Sequence, residues 1–251
     1  MNEAWVLGQR ALREGWRTPE ALLPTLFIPL FFLVVNVGQA AEILPSSSTS
    51  FLHGQGYGAF QLPSSLLLGA SFGTAALFLV EEIEGGYFDK LRAAPISRTA
   101  IVAGRLIAEF VKGALIATAL VVLGLIFGIE IASGPVGFVL LIGLTTLWSV
   151  VFVGFMQLAA MKTRSAAATN SASLIFFPLL FLTPSLVPRD LLTRPMEIAA
   201  TFNPLTYVME TLRSLILEDL DWGAILPGFG VVAVLGALML FLNVRMIRNY
   251  D

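Results

Sequence analysis

Cysteine is absent from the 251 residues, and histidine occurs only once, as His53. Without cysteine there can be no disulfide, no thiolate-bound metal and no cysteine nucleophile. His53 lies in a stretch rich in serine and glycine, without another metal-ligating residue beside it. A histidine metal centre and a serine–histidine catalytic pair therefore cannot be assembled. The sequence predicts neither a metal site nor a hydrolytic active site.

A phosphate-binding loop is also missing. No segment matches G-x-x-x-x-G-K-[ST], and the three lysines, Lys90, Lys112 and Lys162, stand in other contexts. The chain is therefore predicted to have no ATPase site and not to be an enzyme. Charged residues make up only 13% of the sequence, against about a quarter in soluble domains. With a formal net charge of −2, nucleic-acid binding has no support.

The sequence is instead rich in long apolar runs. Hydrophobic residues account for 57% of the chain, and the mean hydropathy is +0.84. A bilayer core of about 30 Å needs roughly 20 apolar residues in one helix. The sequence therefore predicts a single, all-α membrane domain over residues 1–251, with Pro178 and Pro184 weakening the fifth of six spans. The predicted spans are Leu22–Ala41, Leu62–Val80, Gly113–Ile129, Val136–Ala160, Ser171–Val187 and Ala224–Val244.

The basic residues are distributed unevenly between the two sides of these spans. With the amino terminus inside, twelve lysines and arginines fall on inner segments, and only Arg189, Arg194 and Arg213 fall outside. The positive-inside rule then predicts that both termini face the cytoplasm. We expect a multi-pass protein of a bacterial-type cytoplasmic (inner) membrane. The inner residues are Arg10, Arg13, Arg17, Lys90, Arg92, Arg98, Arg105, Lys112, Lys162, Arg164, Arg245 and Arg248.

Residues 1–20 are predicted to form an amphipathic helix in the membrane interface. Trp5, Leu12 and Trp16 share one helical face, and charged residues occupy the rest. Thr18-Pro19 would end the helix. The alternative is a secretory signal peptide, but the charged leader of about twenty residues and the long apolar run favour a retained span.

The approach to the third span carries Arg105, Glu109 and Lys112, spaced as neighbours on one helical face. They are interpreted as an ion-paired stripe at the cytoplasmic base of an elongated helix. A proton relay is the alternative, because ionisable residues at membrane depth are often functional. That alternative would make the chain a secondary, ion-coupled transporter using Glu109 and Lys112.

Residues 82–98, between the second and third spans, read as an acidic cluster, a glycine break, a short helix and a proline stop. Tyr87, Phe88 and Leu91 are expected to project together as an exposed cluster framed by charges. Such a cluster is typical of an anchor for a partner protein. An ordinary connector between two spans is the equal alternative.

Two motifs resemble a known family. Glu84-x-Gly86, followed by the run from Asp89 to Arg98 that includes Arg92-x-x-Pro95-Ile96-Ser97, resembles the signature of the permeases of ABC-2 type transporters. Before the last span, the run Asn203–Tyr207 with Glu210 and Arg213 resembles that family's outer segment. Tyr87 departs from the pattern, which usually has a small residue there.

The resemblance implies an exporter without its own motor. Two permease copies, identical or paralogous, would pair, and a separate nucleotide-binding subunit would bind ATP and Mg²⁺ and drive them through a cytoplasmic coupling helix at 82–98. Residues 188–221 would form re-entrant helices, with Asn203, Pro204, Tyr207, Glu210 and Arg213 in the outer segment. The implied coupling residues are Glu82, Glu84, Gly86, Tyr87, Phe88, Asp89, Leu91, Arg92, Pro95 and Arg98.

The cargo is inferred from the aromatic residues of the spans. Phenylalanines without buried charge would line a pathway for hydrophobic or amphipathic molecules, drug-like or lipid-like, taken from the membrane or its inner face. The alternative is that they only face membrane lipid. The residues are Phe27, Phe31, Phe72, Phe78, Phe176, Phe177 and Phe181.

Overall fold

The computed structural model describes residues 2–40, 42–47, 49–72, 75–94 and 96–249. The described residues are almost entirely helical and contain no strand. The first half comprises α1 (Asn2–Arg17), α2 (Pro19–Ala40), α3 (Tyr57–Ser71), α4 (Ala75–Glu84), α5 (Tyr87–Ala93) and α6 (Arg98–Ile126). The second half comprises α7 (Gly134–Thr163), α8 (Ala166–Ser173), α9 (Phe176–Phe181), α10 (Arg194–Phe202), α11 (Pro204–Leu217) and α12 (Trp222–Arg248). Single 3₁₀ turns occur at Ser50–Leu52 and Arg189–Leu191.

Four helices in the described part of the chain are long and apolar enough to cross a membrane: α2, α6, α7 and α12. All four extend beyond the predicted spans at one or both ends, because polar residues can continue a helix past the apolar run that fills the bilayer. The prediction of an all-helical, multi-pass membrane protein is confirmed.

The second and fifth predicted spans are broken, which departs from the continuous helix expected over 62–80 and agrees with the weakened helix expected over 171–187. Residues 62–80 are divided between α3 and α4, because Phe72 leaves helical geometry in a segment rich in glycine, serine and threonine. Residues 171–187 contain the end of α8, the short α9 and an irregular stretch. Pro178 and Pro184 remove backbone donors there. The count of six spans stays a prediction.

Two apolar clusters hold the helices together. The larger cluster surrounds α3, which is buried along nearly its whole length among α2, α6, α7 and α11. The smaller cluster joins α4, α5, α6, α7 and α12 beside the short helix α5. Its buried members are Leu79, Val80, Phe88, Ile101, Val102, Ala160, Met161 and Ile247. We call the part of the molecule around the larger cluster the body, and the part around the smaller cluster the base.

Helix α1 lies against α6 through two glycines. A Cβ placed on Gly104 would come within 2.8 Å of the Leu7 Cβ and 3.1 Å of the Gly8 nitrogen, so only glycine permits this approach. Residues 2–17 form a helix, in keeping with the helix predicted over residues 1–20. Trp5 is 52% exposed, whereas Arg10 is half-buried. The side chain of Trp16 lies outside the described residues, and an interfacial location of the helix stays a prediction.

Helix α11 is the best-enclosed part of the predicted outer segment. It contacts α3, α7 and α12 and is buried from Leu205 to Leu217 except at Tyr207 and Glu210. Pro204 opens the helix, where a missing N–H has no consequence. The short α10 before it is largely exposed. The expectation of short helices within 188–221 is confirmed, whereas their depth in the membrane stays a prediction.

Candidate functional site

A buried carboxylate joins three helices at the base of the molecule. Glu82 in α4 pairs with Arg10 of α1, with Oε1 2.7 Å from Nη2, and its other oxygen accepts from Arg105 of α6. Glu82 and Arg105 are each only 7% exposed. Because a buried charge without a partner is unfavourable by several kcal/mol, these contacts fix α1 and α6 relative to α4. We call Arg10, Glu82 and Arg105 the ionic node.

A second carboxylate of α1 lies beside this node. Burial raises the pKa of Glu14 above its ordinary value, and the nearby Glu82 carboxylate raises it further, while Arg10 and Arg105 oppose the shift. Glu14 is thus a carboxyl group that gains a proton more readily than a solvated one.

The next turns of α6 carry a separate ion pair. Lys112 Nζ lies 2.8 Å from Glu109 Oε2, and both side chains are largely buried. The predicted pairing of these two residues on an elongated helix is confirmed. Arg105 pairs with Glu82 rather than with Glu109, so the expected three-residue stripe is wrong. A carboxylate 23 positions away in the chain displaces the local partner.

Between α1, α2 and α6 lies a cleft of about 250 Å³. Apolar side chains line its body, and the charged groups of Glu14, Arg105, Glu109 and Lys112 also reach it. A cavity with an apolar body and a few convergent polar groups is the usual form of a small-molecule site. The apolar lining includes Leu12, Leu26, Phe78, Ala108, Leu115, Ile116 and Ala119. We call it the α1–α6 cleft.

Helix α5 is the short helix expected after the glycine break. Gly86 precedes it with φ 69°, a left-handed conformation that favours glycine. The predicted segment 82–98 is divided, because Glu82 and Glu84 belong to α4 and Arg98 opens α6. Tyr87 is 39% exposed, and the Arg10 guanidinium carbon lies 4.3 Å from the centre of its ring. The exposed face of α5 is therefore tied to the ionic node.

The predicted exposed cluster on α5 is wrong in one member. Phe88 is only 1% exposed and packs in the smaller apolar cluster with Leu79, Ile101 and Met161. Leu91 is half-buried against the same cluster. The helical spacing predicts which residues share a face of α5. It does not predict that the face with Phe88 packs inward, where α4, α6, α7 and α12 all contribute apolar residues.

Two of the remaining predicted coupling residues connect the helices on either side of α5 to α8 and α12. Glu84 accepts a hydrogen bond from the Ala166 backbone N–H at 2.9 Å, and Arg98 Nη1 donates to the Arg248 carbonyl at 3.0 Å. Asp89 is exposed. The side chain of Arg92, and Pro95 as a whole, lie outside the described residues.

Sequence reasoning missed the role of α1. Arg10 belongs to the node, and Glu3 accepts a hydrogen bond from the Ser97 N–H at 3.0 Å, beside the start of α6. The signal that could have indicated this contact was Gly8 and Gly15, which are small residues at one-face spacing on a helix that otherwise carries large side chains.

The phenylalanines of the predicted pathway do not line one channel. Phe27 and Phe31 stack on the outer face of α2, with ring centres 6.1 Å apart and exposures of 66% and 54%. Phe72, Phe176 and Phe177 instead form an aromatic group inside the body together with Phe152. Phe181 is exposed, and Phe78 lines the α1–α6 cleft. These phenylalanines therefore lie in different places, and their role in a substrate pathway stays a prediction.

The outer residues singled out by motif form a dense polar group. Asn203 accepts from the Leu205 N–H at 3.0 Å, which caps α11, and donates to the Leu179 carbonyl at 2.6 Å. Arg189 binds Glu210 through two hydrogen bonds of 2.9 and 2.7 Å. Tyr207 donates to the Thr201 carbonyl at 2.9 Å.

Arg213 is buried beneath this group. Its guanidinium carbon lies 3.6 Å from the centre of the Phe60 ring, and its Nε donates to the Phe60 carbonyl at 3.4 Å. Stacking on an aromatic face partly compensates a buried cation. Among the described residues, no group of three or more His, Asp or Glu side chains could hold a metal ion.

Comparisons with known proteins all identify transporter membrane proteins as similar to this chain. The profile of a family described as ABC-2 type transporter matches residues 2–217. The daunorubicin resistance ABC transporter permease protein DrrB1 of Streptomyces coeruleorubidus is 24% identical over 251 residues, covering 96% of this chain and 84% of the relative. The putative transport permease ycf38 of Porphyra purpurea is 28% identical over 235 residues, covering 88% and 76%.

Proposed function

Because the chain belongs to the ABC-2 type transporter family, we propose that it is the membrane subunit of an exporter for amphipathic or hydrophobic molecules, drug-like or lipid-like. A separate subunit binds ATP and Mg²⁺ and supplies the energy. This chain pairs with a second permease copy or a paralogue in a cytoplasmic membrane, with both termini inside. The α1–α6 cleft is the observation that most directly supports this class of substrate.

The cleft suits a molecule with an apolar body and a polar group. Its lining is mostly aliphatic, so burial of apolar surface would provide most of the binding free energy. The carboxylate of Glu14 offers an acceptor at the cleft, and among described residues the carboxylates of Glu82 and Glu109 are both engaged in ion pairs. Since the cleft lies between α1 and the spanning helices α2 and α6, it is accessible to molecules that partition into the inner leaflet.

A series of side-chain contacts connects α5, where the ATPase subunit would bind, to the α1–α6 cleft. Tyr87 and Asp89 on α5 offer an exposed face to the ATPase subunit. Tyr87 contacts Arg10, Arg10 pairs with Glu82, and Glu82 pairs with Arg105, which lines the cleft. A displacement of α5 would therefore move the walls of the substrate site.

The test is transport by a reconstituted complex. Proteoliposomes that contain this chain and its ATPase subunit should accumulate an amphipathic fluorescent dye only with ATP and Mg²⁺, and the chain alone should hydrolyse no ATP. Ala119→Trp, which fills the cleft, should reduce dye uptake at least tenfold. Ile126→Trp on the same helix, 71% exposed, serves as the matched control. Normal uptake by the Ala119 variant, or ATP hydrolysis by the isolated chain, would contradict the proposal.

The second candidate is an ion-coupled carrier, favoured by one observation. Glu109 is 2% exposed and reaches the cleft beside Lys112, as an intramembrane proton site could. Uptake driven by a pH gradient without ATP, and lost in Glu109→Gln, would favour this carrier over the exporter.

The topology has its own measurement. Reporter tags at both termini and near Lys162 should be cytoplasmic, and a tag beside His53 should be external. Tags near Lys162 and His53 on the same side would overturn the arrangement of the spans.

A further inference from the structure

Helices α7 and α12 approach closely at Gly154. A Cβ placed on Gly154 would lie 3.1 Å from the Cβ of Met239. The Asn243 side-chain nitrogen donates to the Gly154 carbonyl at 2.8 Å and to the Met239 carbonyl at the same distance. This contact pins the two helices together roughly nine residues before each of them ends.

Beyond the contact, the helix ends enclose a groove of about 1010 Å³. Its walls are half-buried apolar side chains of both helices, and its mouth carries Lys162, Thr163, Arg245 and Asn249. Among the residues that the structure describes, none of those lining the groove carries a carboxylate. Neither Lys162 nor Arg245 forms an ion pair with another described residue, unlike Arg10, Arg105 and Lys112. The apolar walls are formed by Phe155, Leu158, Ala159, Met239, Leu242 and Met246.

We propose that this groove binds an anionic phospholipid of the cytoplasmic leaflet, with the phosphate at Lys162 and Arg245 and an acyl chain along the apolar walls. Basic pockets between transmembrane helices on the cytoplasmic side recognise anionic headgroups in this way. Nine helical residues span roughly 13 Å, which gives an acyl chain a long apolar contact. The cargo site and the motor play no part in this inference.

The charge balance at the mouth favours an anion. Two helices end here, and each carboxyl end contributes about half a negative elementary charge. The two full positive charges of Lys162 and Arg245 exceed this opposing field. A soluble anion would use the mouth but leave the apolar walls exposed to water, so the groove fits a lipid better than free phosphate.

The groove also lies against the base of the molecule. Ala160 and Met161 of α7 and Ile247 of α12 are buried in the smaller apolar cluster with Phe88. Their neighbours along the same helix ends form the walls of the groove. A bound lipid would therefore link the two helix ends beside the cluster that holds α5, and would stabilise that base against heat.

Native mass spectrometry of the purified, delipidated protein tests the proposal. With palmitoyl-oleoyl phosphatidylglycerol as the probe, the wild type should retain the lipid more strongly than the phosphatidylcholine of the same chains. At about 1 kcal/mol for each basic residue, the Lys162→Ala/Arg245→Ala variant should bind phosphatidylglycerol roughly 30-fold more weakly. Arg13→Ala/Arg17→Ala, which removes two exposed charges of α1, should bind like the wild type.

Two further measurements separate the possible occupants. Ala159→Trp keeps both charges but fills the groove, so it should also lose the lipid, and soluble glycerol phosphate should not compete. Phosphatidylglycerol should raise the melting temperature of the wild type and not that of the charge variant. Equal retention of both lipids, an unaffected double variant, or competition by glycerol phosphate would overturn the proposal. It would also be overturned if Ala159→Trp broke a permease dimer and left lipid binding intact, since the groove would then be a protein interface.

Discussion

The two ends of the molecule hold their polar side chains differently. At the end that carries α5, ion pairs between long side chains join separate helices, as Glu82 does with Arg10 and Arg105, and contacts to backbone groups, such as Glu84 with the Ala166 N–H, add to them. At the end that carries α11, side chains bind mainly to backbone groups, as Asn203 does at the Leu179 carbonyl and Thr211 at the Ala224 carbonyl. Three pairs of ionisable side chains are exceptions: Arg189–Glu210 and Arg194–Glu197, both within residues 188–221, and His53–Glu218.

This difference indicates which end can move. A hydrogen bond to a backbone group needs a narrow range of distance and angle, so the outer end resists displacement of its helices. Flexible charged side chains can follow small helix shifts while their ion pair persists. If the proposed function holds, motion driven from α5 is transmitted at the end that carries the ionic node, while the end that carries α11 behaves as a rigid unit.

The largest expected effect is at the ionic node. Glu82→Ala leaves Arg105 buried without its carboxylate, and breaking one side of a buried pair commonly costs about 3–5 kcal/mol. We expect a large loss of thermal stability in detergent and loss of folded protein from the membrane. Glu81→Ala, an exposed carboxylate next to it, is the control. If both variants melted alike, the node would not hold the inner end together.

A similar but smaller loss is expected at the buried aromatic residue of α5. Phe88→Ala removes a fully buried ring from the smaller apolar cluster, and such truncations cost about 3 kcal/mol or more. Thermal unfolding should shift downward for Phe88→Ala and only slightly for Tyr87→Ala, whose ring contributes a cation–π contact of about 0.5–1 kcal/mol. The reverse order would place Phe88 on the partner surface after all.

The close approach of α1 to α6 gives the next effect. Gly104→Ala would put a methyl group 2.8 Å from the Leu7 Cβ, and such overpacking costs about 1–3 kcal/mol. Gly15→Ala on the facing helix meets no atom within 4 Å and should be neutral. Equal melting temperatures for both variants would mean that α1 does not lie on α6.

The smallest effect is expected at the outer end. Asn203→Ala removes the cap of α11, a change worth about 1 kcal/mol. Thr193→Ala, at the corresponding position of α10, removes no capping hydrogen bond. The Asn203 variant should melt slightly lower and retain coupled ATP hydrolysis. If the Asn203 variant lost the coupling of ATP hydrolysis to transport but kept its stability, the end that carries α11 would take part in energy transmission.

The sequence predicts the long helices well and the contacts between them poorly. The apolar runs of α6, α7 and α12 determine their positions, because the bilayer requires that composition over that length. The break at Phe72 depends on residues of low helix propensity, which exert only a weak local preference. The Arg10–Glu82 contact joins residues 72 positions apart, and no local spacing can indicate it. The prediction that Phe88 is exposed is wrong because helical periodicity shows which residues share a face, but not whether that face contacts solvent or other helices.

The most direct test of the account is the coupling of ATP hydrolysis to transport through Tyr87. In proteoliposomes with the ATPase subunit, Tyr87→Ala should insert and melt close to the wild type. It should lose at least half of its substrate-stimulated ATP hydrolysis and of its dye transport. Tyr87→Phe, which keeps the ring over Arg10, should restore both. Unchanged coupling in Tyr87→Ala, with the subunits still copurifying, would contradict the proposal that energy enters through α5 and the ionic node.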